Sequence, residues 1–202
     1  MMQWLRPVAL LAALVGILGC TESAENNTTT NTTTPVAEKG EPIVIELELY
    51  PKKAPKTVER IVGFIEEGFY KDQRFHRVIS GATQWGSPLS KTANLSDQSV
   101  GAGGSGQPNL PFETNDIKME PGTLAMASTG AKVGGDSQMF IVNSAAPPGL
   151  GDQWQGNYAA FGKVTKNMEA VDKIQVGDTL QMKVTEKTPD VVKVELTVIP
   201  FS

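Results

Sequence analysis

Short apolar stretches, each cut off by glycine or proline, limit the folds open to this chain more than any other feature. The 202 residues include 20 Gly and 13 Pro. So many breakers, with few sustained helical patterns, favour a β-rich domain with substantial loops. Residues 43–50 alternate, with Ile43, Ile45, Leu47 and Leu49 on one face and Glu46 and Glu48 on the other, which is a half-buried strand. Residues 75–79, 84–85, 124–128, 139–143 and 160–164 read as further strands, and 192–199 closes the series with Val192, Val194, Leu196 and Val198 facing one way. Two stretches have helical spacing. One runs over 55–67, with Pro55 in its first turn, Val58, Ile61, Val62 and Ile65 on one stripe and Gly68 to close it. The other is short and carries Met168, Val171 and Ile174. Many short strands with two isolated helices predict a mostly β fold, a closed antiparallel barrel capped by those helices. Residues 86–111 form a long Gly/Ser/Pro-rich excursion, and loops of that length inside a compact domain are usually functional.

The first 41 residues stand apart. Arg6 gives a short positive n-region, and residues 8–18 are an apolar run of about eleven residues, too short for a helix to span a bilayer. Residues 1–19 therefore read as a signal peptide. The run ends in Ile17-Leu18-Gly19-Cys20, which resembles a bacterial lipobox, with Cys20 lipidated and becoming the mature N-terminus. Cys20 is the single cysteine, so an internal disulfide is excluded. Residues 20–41 are then a lipidated cysteine followed by a Thr/Asn-rich tether with no means of burying a core, and 42–202 are the folded domain. The expected location is a bacterial cell envelope, lipid-anchored. The anchor would sit in the outer membrane facing the periplasm of a two-membrane bacterium, because Thr21 lacks the acidic residue that favours inner-membrane retention. In other bacteria it would be the outer face of the plasma membrane.

Composition removes several chemistries. The formal charge is −4, and loss of Arg6 with the leader leaves 17 basic against 22 acidic side chains, or −5, so nucleic acid is not an expected partner. One His and one Cys cannot make a zinc cluster, and no metal or cofactor is expected. A hydrolase would need His76 as its base, and the adjacent Arg77 opposes the imidazolium that would form. The cluster Gly101-Ala102-Gly103-Gly104 lacks the Lys-Ser/Thr of a phosphate loop.

Two blocks remain, Phe75-His76-Arg77-Val78-Ile79 and Ser137-Gln138-Met139-Phe140-Ile141. With Pro55-Lys56-Thr57-Val58, Gly68-Phe69-Tyr70, Gln84, Phe112-Glu113, Gly122-Thr123-Leu124-Ala125-Met126-Ala127 and Phe161-Gly162-Lys163-Val164, in this order from about 43 to 199, the chain resembles the cyclophilin family of peptidyl-prolyl isomerases. The resemblance implies a closed eight-stranded antiparallel barrel capped by two α-helices, monomeric, acting on proline-containing polypeptides without a cofactor. It implies Arg77 as the catalytic arginine, Gln84 as the residue orienting it, and Phe140 as the aromatic wall of a proline socket. Phe161 would be the socket floor, Trp154 an apolar wall usually filled by leucine, and Tyr158 a rim position commonly held by histidine. Ala127 and Ser128 would present backbone groups to the residue before proline, and His76 would support the site. The chain departs from the family between Arg77 and Gln84, where Ala82 and Thr83 replace the usual Phe and Met, and Trp154 is expected to fill the space. Gln153 stands where cyclosporin-sensitive members carry tryptophan, so weak cyclosporin binding is expected. A binding module or chaperone with little turnover is the alternative, motivated by the altered socket. Joint retention of Arg77, Gln84 and Phe140 favours an enzyme assisting the folding of envelope proteins over that module and over a purely structural lipoprotein.

Overall fold

The computed structural model describes residues 40–201; the predicted signal peptide, Cys20 and nearly all of the tether lie outside the described residues. The strands are β1 (Ile43–Leu49), β2 (Gln73–Arg74), β3 (Arg77–Ile79), β4 (Ala82–Trp85), β5 (Thr123–Met126), β6 (Met139–Val142), β7 (Ala160–Lys166), β8 (Thr179–Lys187) and β9 (Val192–Ile199). The helices are α1 (Pro55–Glu66), α2 (Gln98–Ala102), α3 (Leu150–Trp154) and α4 (Met168–Val171). Among the described residues no helix is long and apolar enough to cross a membrane.

All strands join one antiparallel sheet in the order β2-β8-β9-β1-β7-β5-β6-β4-β3. The expected closed eight-stranded barrel is thus corrected to a nine-stranded curled sheet. Its two end strands do not pair with each other; they are one stretch of chain that changes partner midway. The Phe75 amide donates to Asp178 O on the β8 side, and the next amide, His76, donates to Gln84 O on the β4 side. The curl therefore follows from a single extended segment that bonds to both ends of the sheet. The two-helix expectation is extended by the short α2 and α3.

β1 carries the register. It pairs with β9 along its whole length, Ile43 opposite Val198 through Leu49 opposite Val192, and with β7 on its other edge. Its alternation sends Ile45, Leu47 and Leu49 into the core with Val194, Leu196 and Phe161, all at most 1% exposed. α1 covers this core with Val58, Ile61, Val62 and Ile65, each side chain contributing about 1.5–3 kcal/mol by burial. It ends as predicted: Gly68 has φ +73°, and the Phe69 amide closes back onto Phe64 O.

The start of α1 is capped from a distance. Ala54 precedes the helix and offers no side-chain acceptor. Glu113, from the loop before β5, accepts from the amides of Lys56 (3.0 Å) and Thr57 (2.8 Å) and from Thr57 Oγ1 (2.7 Å). These amides are the donors a helix leaves unpaired, and a carboxylate there also meets the positive end of the helix dipole. Glu113→Ala is expected to lower stability by about 1–2 kcal/mol, read as a reduced urea midpoint at unchanged m.

Strands β4 to β7 are apolar on both faces. Trp85, Leu124, Met126, Met139, Ile141 and Phe161 point into the main core inside the curl. Their neighbours Ala82, Ala125, Phe140, Val142 and Ala160 point outward into a second apolar cluster with Ile117 and Met119. An ordinary barrel wall would be polar on that outer face. Here it is covered by Trp154, Tyr158 and the loop before β5, and this outer face is where the site forms.

Candidate active site

Cross-strand register assembles the site. On β3 and β4, Arg77 lies opposite Gln84; on β4 and β6, Gln84 lies opposite Phe140; on β5 and β6, Phe140 lies opposite Ala125. Directly opposed residues share a face, so Arg77, Gln84, Phe140 and Ala125 form one row across four strands. Arg77 is exposed, and its Nη1 donates to Gln84 Oε1 at 3.1 Å. Gln84 is 8% exposed and its Nε2 donates to Gln138 Oε1 at 2.8 Å. Gln138 Nε2 in turn donates to the carbonyls of Gly101 (2.9 Å) and Gly103. A chain of side-chain amides thus runs from the guanidinium to the glycine-rich loop, fixing the arginine and the loop in one network. No carboxylate among the described residues pairs with Arg77, so its charge is free to act on a ligand.

This row opens onto a cavity of about 250 Å³ lined by Arg77, Ala82, Gln84, Gly101, Ala127, Ser128, Phe140, Trp154 and Tyr158. Seven of the nine residues singled out from the sequence within the folded domain are therefore brought together. Phe140, Trp154 and Tyr158 meet edge to face, with centroids 5.3 Å (Phe140–Trp154), 5.3 Å (Phe140–Tyr158) and 5.7 Å (Trp154–Tyr158) apart. Each such contact adds about 0.5–1.5 kcal/mol beyond area burial, which favours a preformed apolar wall. A second cavity of about 310 Å³ continues past Gln84, Gly101, Ala127 and Ser128, between the glycine-rich loop and residues 134–138. The two share Gln84, Gly101, Ala127 and Ser128 as lining residues and so form one continuous groove.

The long excursion is pinned beside this groove. Arg74 donates to Ser90 O and Ala93 O, and Arg60 donates to Pro108 O and reaches Asp136, both of these side chains being mostly buried. Tyr70, fully buried, donates to Ser137 O at 3.0 Å and holds the start of β6 from beneath; its burial pushes the phenol well above its ordinary value.

Some predicted placements differ. Phe161 is 0% exposed in the main core and lines neither cavity; one residue earlier on β7, Ala160 faces the site instead. The alternation of β7 forces that choice. Ala82 lines the cavity, but Thr83 faces the other way, where its Oγ1 accepts from Asn143 Nδ2 at 3.2 Å. Only one of the two expected wall positions is therefore part of the socket. Trp154 leans across the gap, its Cη2 within 3.3 Å of where a Gly81 side chain would begin. The Ala127 amide donates to Gln138 O and its carbonyl oxygen lies close against Gly135, while Ser128 Oγ donates to Gly130 O. Gln153 is exposed and outside both cavities.

His76 lies beneath the row, 8% exposed, with neither ring nitrogen hydrogen-bonded. Burial lowers its pKa from the usual 6.5, the Gln138 side chain opposes that shift, and the Arg77 charge adds to it. The neutral ring is thus favoured, a packing role rather than proton transfer. The unfolded chain protonates His76 near 6.5 while the folded one resists, so stability is retained above 6.5 and lost as pH falls below it. The urea midpoint is expected to fall as pH drops below 6.5, and His76→Asn to flatten that slope.

Gln138 was not singled out for a role, although its spacing of two from Phe140 in the second sequence block places both on one face.

Comparison with known proteins gives the same reading. The profile of the family described as "Cyclophilin type peptidyl-prolyl cis-trans isomerase/CLD" matches residues 34–196. A Brucella suis protein named probable peptidyl-prolyl cis-trans isomerase is 31% identical over 95% of this chain and 96% of its own length. Peptidyl-prolyl cis-trans isomerase A of Dickeya dadantii is 36% identical over 82% of this chain and 83% of its own. Peptidyl-prolyl cis-trans isomerase B of Bacillus subtilis is 37% identical over 68% and 87%. In fold, the chain is similar to a Cryptosporidium parvum cyclophilin crystallised in the presence of the dipeptide Ala-Pro, with TM-score 0.53 and 22% identity over 82% of this chain and 100% of that one. The sheet, the row across it and these relatives agree: this chain belongs to the cyclophilin-type peptidyl-prolyl cis-trans isomerase family.

Proposed function

We propose that this isomerase works on cell-envelope proteins as they fold, tethered by lipid on Cys20, with Arg77, Gln84 and Phe140 as its working residues. The observation that carries the site is the row Arg77–Gln84–Phe140, which sets a fixed charge across a cavity of about 250 Å³ from the aromatic wall of Phe140, Trp154 and Tyr158.

Rotation of an X-Pro bond is opposed by amide resonance, a barrier of about 18–20 kcal/mol, and takes tens to hundreds of seconds. Reaching milliseconds requires about 10⁴–10⁵ in rate, or roughly 6–7 kcal/mol. No bond breaks, so neither nucleophile nor proton relay is needed. The proline ring is held against Phe140, Trp154 and Tyr158 while the acyl side turns. Arg77 donates toward the prolyl nitrogen, favours its pyramidal form and weakens the resonance. Gln84 holds the guanidinium at 3.1 Å so that little reorganisation accompanies the twist. The stretch before proline lies along the second cavity, which Ala127, Ser128 and the glycine-rich loop line. Arginine keeps its charge at any physiological pH, so turnover need not depend on His76.

The holding module predicts a different outcome with the same probe. An Ala-Pro peptide titrated into the full chain is expected to be isomerised, as read by exchange NMR. Binding without exchange would favour a module that grips proline segments. The anchor has its own test, labelled palmitate incorporated by the wild type and lost in Cys20→Ser. Unlabelled wild-type protein would refute the tether.

A further inference from the structure

The wall of the proline socket hangs on a side chain that never touches the cavity. Trp154 is the last residue of α3, a helix of five residues with no side-chain cap. One turn cannot hold its own direction, because nucleating a helix fixes several residues for little return in hydrogen bonds. Something outside α3 must therefore set where the indole points.

Gln155, the residue after Trp154, makes that connection. Its Oε1 accepts from the Met119 amide at 3.0 Å, and its Nε2 donates to Ile117 O at 3.1 Å. The side-chain amide thus pairs with both groups that Ile117 and Met119 turn toward it, as a neighbouring strand would. Ile117 and Met119 are themselves buried in the outer apolar cluster with Phe140. The same segment meets α3 at a second point: a side chain at Gly151 would begin 2.1 Å from Met119 O, so only glycine lets the two backbones come this close. Gln155 is exposed and lines neither part of the groove.

We infer that Gln155 is a positioning residue for the proline socket, locking α3 to the 117–119 segment and thereby setting the Trp154 wall against Phe140. The inference rests on the socket reading above. It predicts that an exposed polar side chain outside the groove controls substrate affinity.

Gln155→Leu in the full chain removes both bonds and keeps the side-chain bulk. The expected result is a roughly tenfold lower kcat/KM for an Ala-Pro peptide, carried by KM with kcat within about twofold, and a melting temperature lowered by no more than about 8 °C, the loss of two part-buried hydrogen bonds. Gln155→Glu keeps the acceptor for Met119 but sets a carboxylate against Ile117 O, and should fall between. Trp85 is fully buried and Trp4 lies in the predicted leader, so the change in emission on adding peptide reports Trp154. That change should be present in the wild type and lost in Gln155→Leu. Unchanged KM and emission response in Gln155→Leu would overturn the inference alone. A fall in kcat at constant KM, or a melting temperature lowered by well over about 8 °C, would also overturn it. A wild type without turnover would overturn the socket reading, and the inference with it.

Discussion

Alanine at Arg77 is expected to lower kcat/KM for an Ala-Pro peptide by about 10²–10³-fold, the effect of removing one preorganised donor from a charge-stabilising site, or about 3–4 kcal/mol. The effect on the fold should be small beside this. Arg77 is exposed on a three-residue strand with no ion-pair partner among the described residues, so stability should move by no more than about 0.5–1.5 kcal/mol, the bond to Gln84. The loss should fall on kcat, because the interaction with a pyramidal nitrogen exists only in the twisted state. Arg77→Lys separates charge from geometry. Lysine keeps the charge but not the rigid fork that lets one edge bond Gln84 while another faces the substrate, so only partial activity is expected. Alanine without a kinetic effect would remove Arg77 from the mechanism and favour a holding role for the groove.

The second large effect lies on the other side of the same sheet. Phe161→Ala is expected to cost about 3–5 kcal/mol, because the ring is 0% exposed among Ile45, Leu49, Leu124 and Leu196 and its removal leaves a cavity. The cost would appear as a lower urea midpoint. Kinetics distinguish this from a socket role. Phe161→Leu, which keeps most of the volume, should leave KM for the Ala-Pro peptide unchanged while lowering the melting temperature. A selective rise in KM at unchanged stability would return Phe161 to the socket floor. Together the two substitutions separate the faces of one sheet: Arg77 alters mainly turnover, and Phe161 mainly stability.

Much of this fold could be read in the sequence because its pattern is local. The β1 alternation survives as observed, since Ile45, Leu47 and Leu49 have one buried face to satisfy and the glutamates the other. α1 starts at Pro55 and closes at Gly68, as the breakers predict. β8 escaped notice although Leu180, Met182 and Val184 alternate toward the core; the last three residues, Thr185 to Lys187, are exposed and only Leu180 is fully buried, so its apolar pattern is shorter than that of β9. α3 escaped because a single turn leaves too few residues for a helical period. The pattern shows seven strands against nine observed: β8 is one difference, and the other arises where one extended segment changes partner between Phe75 and His76, a switch that leaves no mark on composition.

The site divides along the same line. Sequence alone determined which side chains are available: a fixed charge at Arg77, an amide at Gln84, an aromatic at Phe140, and too little histidine, cysteine or net positive charge for metal or nucleic-acid chemistry. Which of them face each other was decided by cross-strand register, a long-range pairing that sets Arg77 opposite Gln84 and Gln84 opposite Phe140 while turning Thr83 and Phe161 away. The Trp154 wall was decided further still from local pattern, by hydrogen bonds between Gln155 and a segment 36 and 38 residues earlier in the chain. Alternation within a strand is written residue by residue, but the partner across the sheet is fixed only when the whole core closes.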